Sequence, residues 1–214
     1  MTLNDIRQID QSGMYNALVD FHAQVGDAVR LGKSTLVKLN VRGVRNIVLT
    51  GMGGSAIGGD LLRSYLSDVL RVPFFVNRHY VLPAFVDRNS LVIVSSYSGN
   101  TEETIAAHRD AIKRNARILC LTSGGTTESL AKEHKQQMVK IPSGFQPRAA
   151  LGYLFFPLLV VLTRLGFVKS RTSHTRETIQ LLKSKAHAYG DPEASDNPPF
   201  RLAQRLQGKL PIIY

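Results

Sequence analysis

Five short apolar runs alternate with amphipathic segments between residues 45 and 141, and this alternation constrains the fold more than any other feature. The runs are 45–50, 73–76, 91–94, 117–121 and 138–141. Short aliphatic and β-branched runs are typical of buried strands, whereas apolar residues at helical spacing indicate helices. Strands that alternate with helices form a parallel sheet covered on both faces. We therefore predict an α/β fold with a five-stranded parallel sheet flanked by helices.

Small and hydroxyl-bearing residues cluster in three segments that follow predicted strands. These segments are 51–55, 95–101 and 122–126. Right-handed crossovers place the strand-to-helix connections at one edge of a parallel sheet. Ligands of open α/β sheets bind at that edge, where the strand order reverses. The sequence therefore predicts a ligand site formed by these segments.

The clearest part of this site lies in residues 91–101. The apolar strand runs into a serine cluster and a Gly-Asn turn, and Thr101 then precedes two glutamates as the N-cap of a helix. A helix N-terminus presents free N–H groups and the positive end of the helix dipole, which favour an anion. We predict that Ser96, Ser98 and Thr101 bind a phosphate or another small anion.

A glycine-rich segment follows the first predicted strand. Its Gly51-x-Gly53-x-x-Ala56 pattern fits the dinucleotide-binding fingerprint. An NAD site would require an acid where this chain has Asn77-Arg78, although the arginine leaves NADP open. Alternatively, Gly53, Gly54 and Ser55 offer amides and a hydroxyl to a phosphorylated, hydroxyl-rich small molecule that segment 95–101 also holds. Both interpretations are open on the residues alone, and the second explains the two segments together.

The remaining patterns divide the chain into four parts. Residues 1–40 form an N-terminal helical segment, read as one longer helix ending near Gly32, and 41–166 form the α/β domain. Within that domain, Pro147 and Arg148 lead into an apolar helix that extends to about residue 166. Residues 167–209 form a helical linker with helices over 172–187 and 200–207. Residues 210–214 resemble the start of another buried strand.

The charge balance restricts the possible partners. The chain has 27 Lys and Arg residues against 16 Asp and Glu residues, which gives a formal net charge of +11. This balance favours anionic partners, but the basic residues are scattered singly and the first 40 residues show no helix-turn-helix pattern. We therefore predict no nucleic acid partner. The most apolar stretch, 151–161, is too short to cross a bilayer, so we predict a cytoplasmic protein with no membrane partner.

Cysteine and histidine usage gives no sign of a metal site. The single cysteine, Cys120, excludes an intramolecular disulfide and a cysteine metal cluster, and its apolar surroundings predict a buried strand residue. The six histidines show no metal-ligand pairing and are expected to have surface or packing roles. These histidines are residues 22, 79, 108, 134, 174 and 187.

Three separated motifs resemble those of one enzyme family. The run from Ser96 to Thr104 resembles the phosphate loop of sugar isomerase (SIS) domains. The runs 51–55 with 58–60, and 147–153, narrow the resemblance to the bifunctional phosphoglucose/phosphomannose isomerases of archaea and bacteria. The resemblance extends from about residue 10 to the C-terminus. It implies a SIS domain with a flavodoxin-like three-layer sandwich, followed by the start of a second, truncated subdomain of that kind.

The resemblance also implies an activity and roles for individual residues. Members of this family interconvert glucose 6-phosphate or mannose 6-phosphate with fructose 6-phosphate through a cis-enediolate. Arg148 would be the catalytic residue that stabilises this intermediate, because a fixed guanidinium suits developing oxyanion charge. The family acts as a homodimer and needs no cofactor, since a 1,2-proton shift requires only a base and charge stabilisation. Substrate phosphate would bind at Ser96, Ser98 and Thr101, and the sugar would contact Gly53, Gly54 and Ser55.

One departure from the family limits this expectation. The general base Glu, the ring-opening His and a Lys of the family lie in a second subdomain, and no residue of this chain matches them. Glu102 and Glu103 belong to the phosphate-loop helix and are not expected to act as the base. We expect the 214-residue chain alone to be inactive as an isomerase. The alternative is a non-catalytic SIS module that binds a sugar phosphate and regulates a partner.

Overall fold

The central element of the fold is a five-stranded parallel sheet. The computed structural model describes residues 2–194 and 196–212. The sheet order is β2-β1-β3-β4-β5, and all neighbouring strands are parallel. The predicted parallel α/β fold is therefore confirmed, and its strand order is the flavodoxin-like one. The strands are β1 (Asn46–Thr50), β2 (Phe74–Asn77), β3 (Ser90–Ser96), β4 (Arg117–Thr122) and β5 (Gln137–Lys140).

Helices precede, connect and follow the strands. Four of them belong to the region of the sheet: α4 (Gly53–Tyr65), α5 (Glu102–Lys113), α6 (Gly125–Glu133) and α7 (Leu151–Arg164), with a short 3-10 helix (Pro147–Ala149) before α7. The others are α1 (Leu3–Ile9), α2 (Met14–Val19), α3 (Phe21–Ser34), α8 (Thr172–Tyr189) and α9 (Pro198–Leu206).

Two boundaries differ from the sequence-based expectation. The N-terminal region contains three helices rather than one. Asp10 follows α1 and accepts hydrogen bonds from the amides of Met14 and Tyr15, so the chain turns before α2, and Asp20 ends α2 directly before α3. Strand β3 also extends through Ser95 and Ser96, which the sequence placed in a loop. These serines pair with Leu121 and Thr122 of β4, so cross-strand pairing overrides their local turn preference.

Alternating strand residues pack against helices on opposite faces of the sheet. Val48, Val92 and Cys120 share a cluster with Ala107 of α5 and Ala131 of α6. On the other face, Leu49 lies against Gly59 of α4, where an added Cβ would come within 2.7 Å of Leu49 Cδ2. This period-two division is the arrangement expected for strands buried on both faces. Because the strands are parallel, α4 and α5 both begin at the edge where β1 and β3 end.

The chain divides into two compact units, residues 25–170 and residues 1–24 with 171–214. The first unit contains the sheet. In the second, Tyr15 donates a hydrogen bond from its hydroxyl to the Gly190 carbonyl, and Asn197 Oδ1 caps α9 by accepting from the Phe200 amide at 3.0 Å. The strand predicted over 210–214 falls partly on residues 213 and 214, outside the described residues. None of the described helices is long and apolar enough to cross a membrane.

Candidate functional site

The candidate site lies where β1 and β3 end next to each other. From this pair the chain continues to β2 on one side and to β4 on the other, so the strand order reverses here. Helix α4 begins at Gly53 and α5 begins at Glu102, immediately after these two strands. A crevice at such a reversal is the usual ligand position in open α/β sheets. Two of the three predicted loops therefore meet at this point.

Residues 97–101, called the phosphate loop below, are fixed from both sides. The Tyr97 amide donates to Ser55 Oγ at 3.1 Å, and the Tyr97 carbonyl accepts from the Ser123 amide at 3.0 Å and from Ser123 Oγ at 2.6 Å. The Gly99 carbonyl accepts from the Thr127 amide at 2.9 Å and from Thr127 Oγ1 at 3.1 Å. Ser55 after β1, and Ser123 and Thr127 after β4, thus hold the phosphate loop in place.

Gly99 is required by this arrangement. Its φ of +74° lies in the left-handed region, and an added Cβ would lie 1.8 Å from the Gly124 carbonyl oxygen. No side chain can occupy that position without separating the phosphate loop from the start of α6. The glycine therefore allows a close backbone contact as well as an unusual backbone conformation.

The start of α5 presents a set of uncommitted N–H groups. Within residues 2–194 and 196–212, no acceptor is bonded to the backbone N–H groups of Thr101, Glu102, Glu103 and Thr104. The helix has 12 residues, so the positive end of its dipole adds to these donors. Free N–H groups at a helix N-terminus form an anion-binding site. The predicted chemistry of the segment is therefore supported by its backbone geometry.

The three predicted phosphate ligands have different environments. Ser96 is 1% exposed, and its hydroxyl accepts from the Gly99 amide at 3.1 Å and donates to Thr101 Oγ1 at 3.3 Å. Ser98 is exposed, and its Oγ accepts from the Asn100 amide at 3.2 Å. Ser96 and Thr101 are thus in contact, whereas Ser98 offers the most accessible hydroxyl. Direct phosphate binding by these residues stays a prediction.

The glycine-rich loop approaches the phosphate loop closely. Ser55 is 5% exposed, and its Oγ is engaged with the Tyr97 amide, so it braces the phosphate loop. Gly53 is exposed with a φ of +48° and open space around it. An added Cβ on Gly54 would lie 2.9 Å from the Pro147 carbonyl oxygen. The segment that carries Arg148 therefore packs directly on the start of α4.

Arg148 is an exposed cation in the segment that packs on the start of α4. It lies in the 3-10 helix and is exposed, and among the described residues it has no hydrogen-bond or ion-pair partner. Its segment is also tied to the phosphate loop, because the Phe145 amide donates to the Tyr97 hydroxyl at 2.8 Å. Burial raises the pKa of Tyr97, which keeps this hydroxyl neutral. Contacts of Phe145 and Pro147 thus connect the segment of Arg148 to the phosphate loop and to the glycine-rich loop.

The acidic residues of the first turn of α5 lie beside the 78–82 connection. Glu102, and then Glu103, raise the pKa of the exposed Tyr80 by unfavourable charge interaction with its phenolate form. The described residues contain no group of three or more His, Cys, Asp or Glu side chains that could hold a metal ion.

Comparison with known proteins assigns the sheet domain. A model of the SIS domain matches residues 40–143. These residues form a SIS domain. The chain is 43% identical over 203 residues to a bifunctional phosphoglucose/phosphomannose isomerase of Caldicellulosiruptor bescii, a match that covers 94% of this chain and 60% of that protein. The family resemblance read from the three motifs is confirmed by this match.

One more curated relative and one solved structure are similar to this chain. A bifunctional phosphoglucose/phosphomannose isomerase of Thermoplasma acidophilum is 44% identical over 171 residues, covering 79% of this chain and 49% of that protein. The chain thus spans about half to three fifths of the length of these two curated relatives. The solved tagatose-6-phosphate ketose/aldose isomerase of Escherichia coli has a TM-score of 0.51 at 16% identity, covering 90% of this chain and 50% of that one. This last likeness shows the fold alone.

The interactions at the end of β2 weaken the dinucleotide alternative for this SIS domain. Asn77 is 5% exposed and donates from Nδ2 to Thr50 Oγ1 at 3.2 Å and to the His79 carbonyl at 2.9 Å. Arg78 forms an ion pair with Asp60. No acid stands where a ribose would need one, and the arginine that left NADP open is already paired.

The sequence did not predict the individual roles of several residues of the SIS-domain site. Tyr97 lies inside the phosphate-loop motif, but nothing in its spacing indicated that its hydroxyl reaches Phe145. Ser123 and Thr127 belong to the glycine and hydroxyl cluster after β4, which indicated a third loop without assigning roles. Asn100 Oδ1 also accepts from the Thr126 amide at 2.9 Å and from Thr126 Oγ1 at 3.1 Å. These residues connect loops, and only their partners reveal that function.

Proposed function

We propose that the chain forms the phosphate-binding part of an aldose–ketose isomerase site that interconverts glucose 6-phosphate or mannose 6-phosphate with fructose 6-phosphate. The observation that carries the proposal is the set of uncommitted N–H groups at the start of α5. It is joined by Arg148, which is exposed, has no partner among the described residues and lies in the segment bonded to Tyr97. The two curated relatives bear the matching names. Of the predicted ligands, Ser98 and Thr101 would contact the phosphate directly, and Ser96 and Ser55 would hold the loop in position.

The chemistry of the reaction explains the use of Arg148. Moving a proton between C1 and C2 of an open-chain sugar passes through an enediolate, whose negative charge must be stabilised. A guanidinium without a competing carboxylate can donate several hydrogen bonds to that charge. Glu102 and Glu103 stand on the phosphate-binding helix, and we assign the proton-abstracting role to neither of them. A base from outside this chain completes the site in our proposal.

We further propose that the protein acts as a homodimer in the cytoplasm and serves glycolysis and gluconeogenesis. The support for these statements is the family resemblance. The alternative is a non-catalytic SIS module that regulates a partner. It would use the same phosphate site as the isomerase, but Arg148 would not stabilise an enediolate in it.

Calorimetric titration of the 214-residue chain tests the proposed binding. Fructose 6-phosphate should bind, whereas fructose should not, because most of the affinity comes from the phosphate. Ser98→Ala should weaken binding of fructose 6-phosphate by about fivefold, the effect of one hydrogen bond of roughly 1 kcal/mol. Ser184→Ala, a change to an exposed serine of α8, is the matched control and should have no effect. Equal affinities for the sugar and its phosphate would contradict the proposal.

A second titration separates an isomerase from a binding module. In 5-phosphoarabinonate, a carboxylate takes the place of the enediolate charge. Arg148→Gln should weaken binding of this compound at least about tenfold more than binding of fructose 6-phosphate, since only the former bears the charge that the arginine would stabilise. Arg176→Gln, at an exposed arginine of α8, serves as the control. Equal weakening of both ligands would favour the regulatory alternative. In a coupled assay we expect no turnover by this chain alone, and measurable turnover would show that a base lies within it.

A further inference from the structure

A second candidate site lies at the opposite edge of the sheet, where β4 and β5 begin. A cavity of about 430 Å³ opens there, a volume within the range of small-molecule sites. We call it the basic cavity. It contains no Asp or Glu among its lining residues in the described part of the chain. Its polar lining consists of Lys38, Asn115, Arg117, His134, Lys135, Gln136 and Gln137.

Three cations of the basic cavity have no ion-pair partner. Lys38, Arg117 and Lys135 form no ion pair with any carboxylate of the described residues. Glu133 stands next to the lining residue His134, with its Oε1 4.0 Å from His134 Nε2, and its side chain is 69% exposed. Cations that line one cavity and have no carboxylate partner repel one another, so they favour binding of an anion between them.

Backbone contacts hold part of this lining in place. The guanidinium of Arg117 donates to the carbonyl of Arg88, and from Nη2 to the carbonyl of Arg42 at 2.9 Å. The Lys38 amide donates to Gln137 Oε1 at 2.7 Å, which attaches the segment before β1 to the start of β5. A lining that is already ordered loses less entropy when a ligand binds.

The dipoles of the neighbouring helices do not account for this much positive charge. Helices α5 and α6 both end here, and their carbonyls accept from the Ala116 amide at 3.1 Å and the Gln136 amide at 2.8 Å. Each helix C-terminus is equivalent to roughly −0.5 charge, or about −1 in total. Three unpaired cations therefore leave an excess of about +2 after both dipoles are counted. An anion of at least two charges would balance this excess.

We propose that the basic cavity binds a small polyanion that carries two or more phosphate groups. Two lysines beside an ordered guanidinium supply more positive charge than a single carboxylate can balance, and phosphate groups carry enough oxygens and charge to match them. This site is separate from the phosphate loop, because the basic cavity lies at the strand N-termini and the loop follows the strand C-termini. It is independent of the proposed isomerase function.

Titration with inorganic triphosphate tests this site, followed by amide NMR spectra of the 214-residue chain. We expect the largest shift changes at Asn115, Lys135 and Gln137. The double variant Lys38→Gln/Lys135→Gln should weaken triphosphate binding by at least about tenfold, a loss of roughly 1.4 kcal/mol. The loss follows from removing two of the three unpaired charges.

The matched control is Lys183→Gln/Lys209→Gln, which removes the same charge from two exposed lysines elsewhere. It should change the affinity less than about twofold. Equal weakening by both double variants would show that net charge attracts the probe without a site, and would overturn the proposal. Shift changes confined to residues 97–104 would overturn it as well, because triphosphate would then occupy only the phosphate loop and the start of α5. Failure of fructose 6-phosphate to bind would leave these outcomes unaffected.

Discussion

Substituting Gly99 by alanine should disrupt the phosphate loop far more than the same change at another left-handed glycine. Gly43 is the matched position, because its φ of +76° is close to the +74° of Gly99. An added Cβ on Gly43 meets nothing within 4 Å, whereas on Gly99 it would lie 1.8 Å from the Gly124 carbonyl oxygen. The two variants therefore share the conformational cost and differ in the steric one.

The expected magnitudes follow from these contacts. Alanine in the left-handed region costs about 1–2 kcal/mol at either position. At Gly99 the phosphate loop must also move away from Gly124 by more than about 1 Å. That movement would break the two hydrogen bonds from Thr127 to the Gly99 carbonyl, each contributing about 1 kcal/mol. We expect Gly43→Ala to lower the free energy of unfolding by about 1–2 kcal/mol and Gly99→Ala by about 3–4 kcal/mol.

Urea denaturation followed by circular dichroism measures this difference. Titration with fructose 6-phosphate provides a second readout, in which Gly99→Ala should abolish detectable binding and Gly43→Ala should preserve it. If the two variants lose the same free energy within about 0.5 kcal/mol, the close contact between the phosphate loop and α6 does not limit stability, and the reasoning fails.

Two further predictions concern the segment that carries Arg148 and the buried histidine of α5. Tyr97→Phe removes the acceptor of the Phe145 amide, so hydrogen exchange at that amide should accelerate by about tenfold, because one hydrogen bond no longer protects it. His108 is fully buried, and burial is the main cause that lowers its pKa below 6.5. Below about pH 6.5 the unfolded chain therefore binds a proton at this histidine that the folded chain does not. As the pH is lowered from there to the pKa of His108 in the folded chain, the free energy of unfolding should fall by up to about 1.4 kcal/mol per pH unit. In His108→Gln, the free energy of unfolding measured across this pH range should change less steeply with pH.

Each of these predictions has a control in the chain. Tyr153→Phe also removes a hydroxyl near the Arg148 segment, since the Tyr153 ring lies 5.6 Å from that of Phe145. Faster exchange of the Phe145 amide in this variant as well would indicate general loosening rather than loss of one bond. His134→Gln changes an exposed histidine, and a slope reduced as much as in His108→Gln would refute the assignment to the buried residue.

The strand and helix pattern could be predicted because it depends on local sequence. The five apolar runs matched β1 to β5, and the serine and glycine clusters indicated the edge of the sheet that forms the site. The exceptions were contacts between distant segments. Ser95 and Ser96 joined β3 because β4 offered hydrogen-bond partners, and the N-terminal helix was interrupted where Asp10 capped a new turn. In each case a specific partner overcame a local preference.

The sequence by itself determined the α/β class, the resemblance to SIS-domain isomerases and the position of the helix start at which we propose anion binding. Periodicity, motif spacing and helix capping all lie within short stretches of the chain. Only the tertiary structure decided which groups are already committed. Ser55 bonds to Tyr97, 42 residues away, and Gly99 abuts Gly124. The basic cavity likewise combines Lys38 with Arg117 and Lys135. Such contacts depend on how crossovers bring separate strand ends together, and no local pattern encodes them.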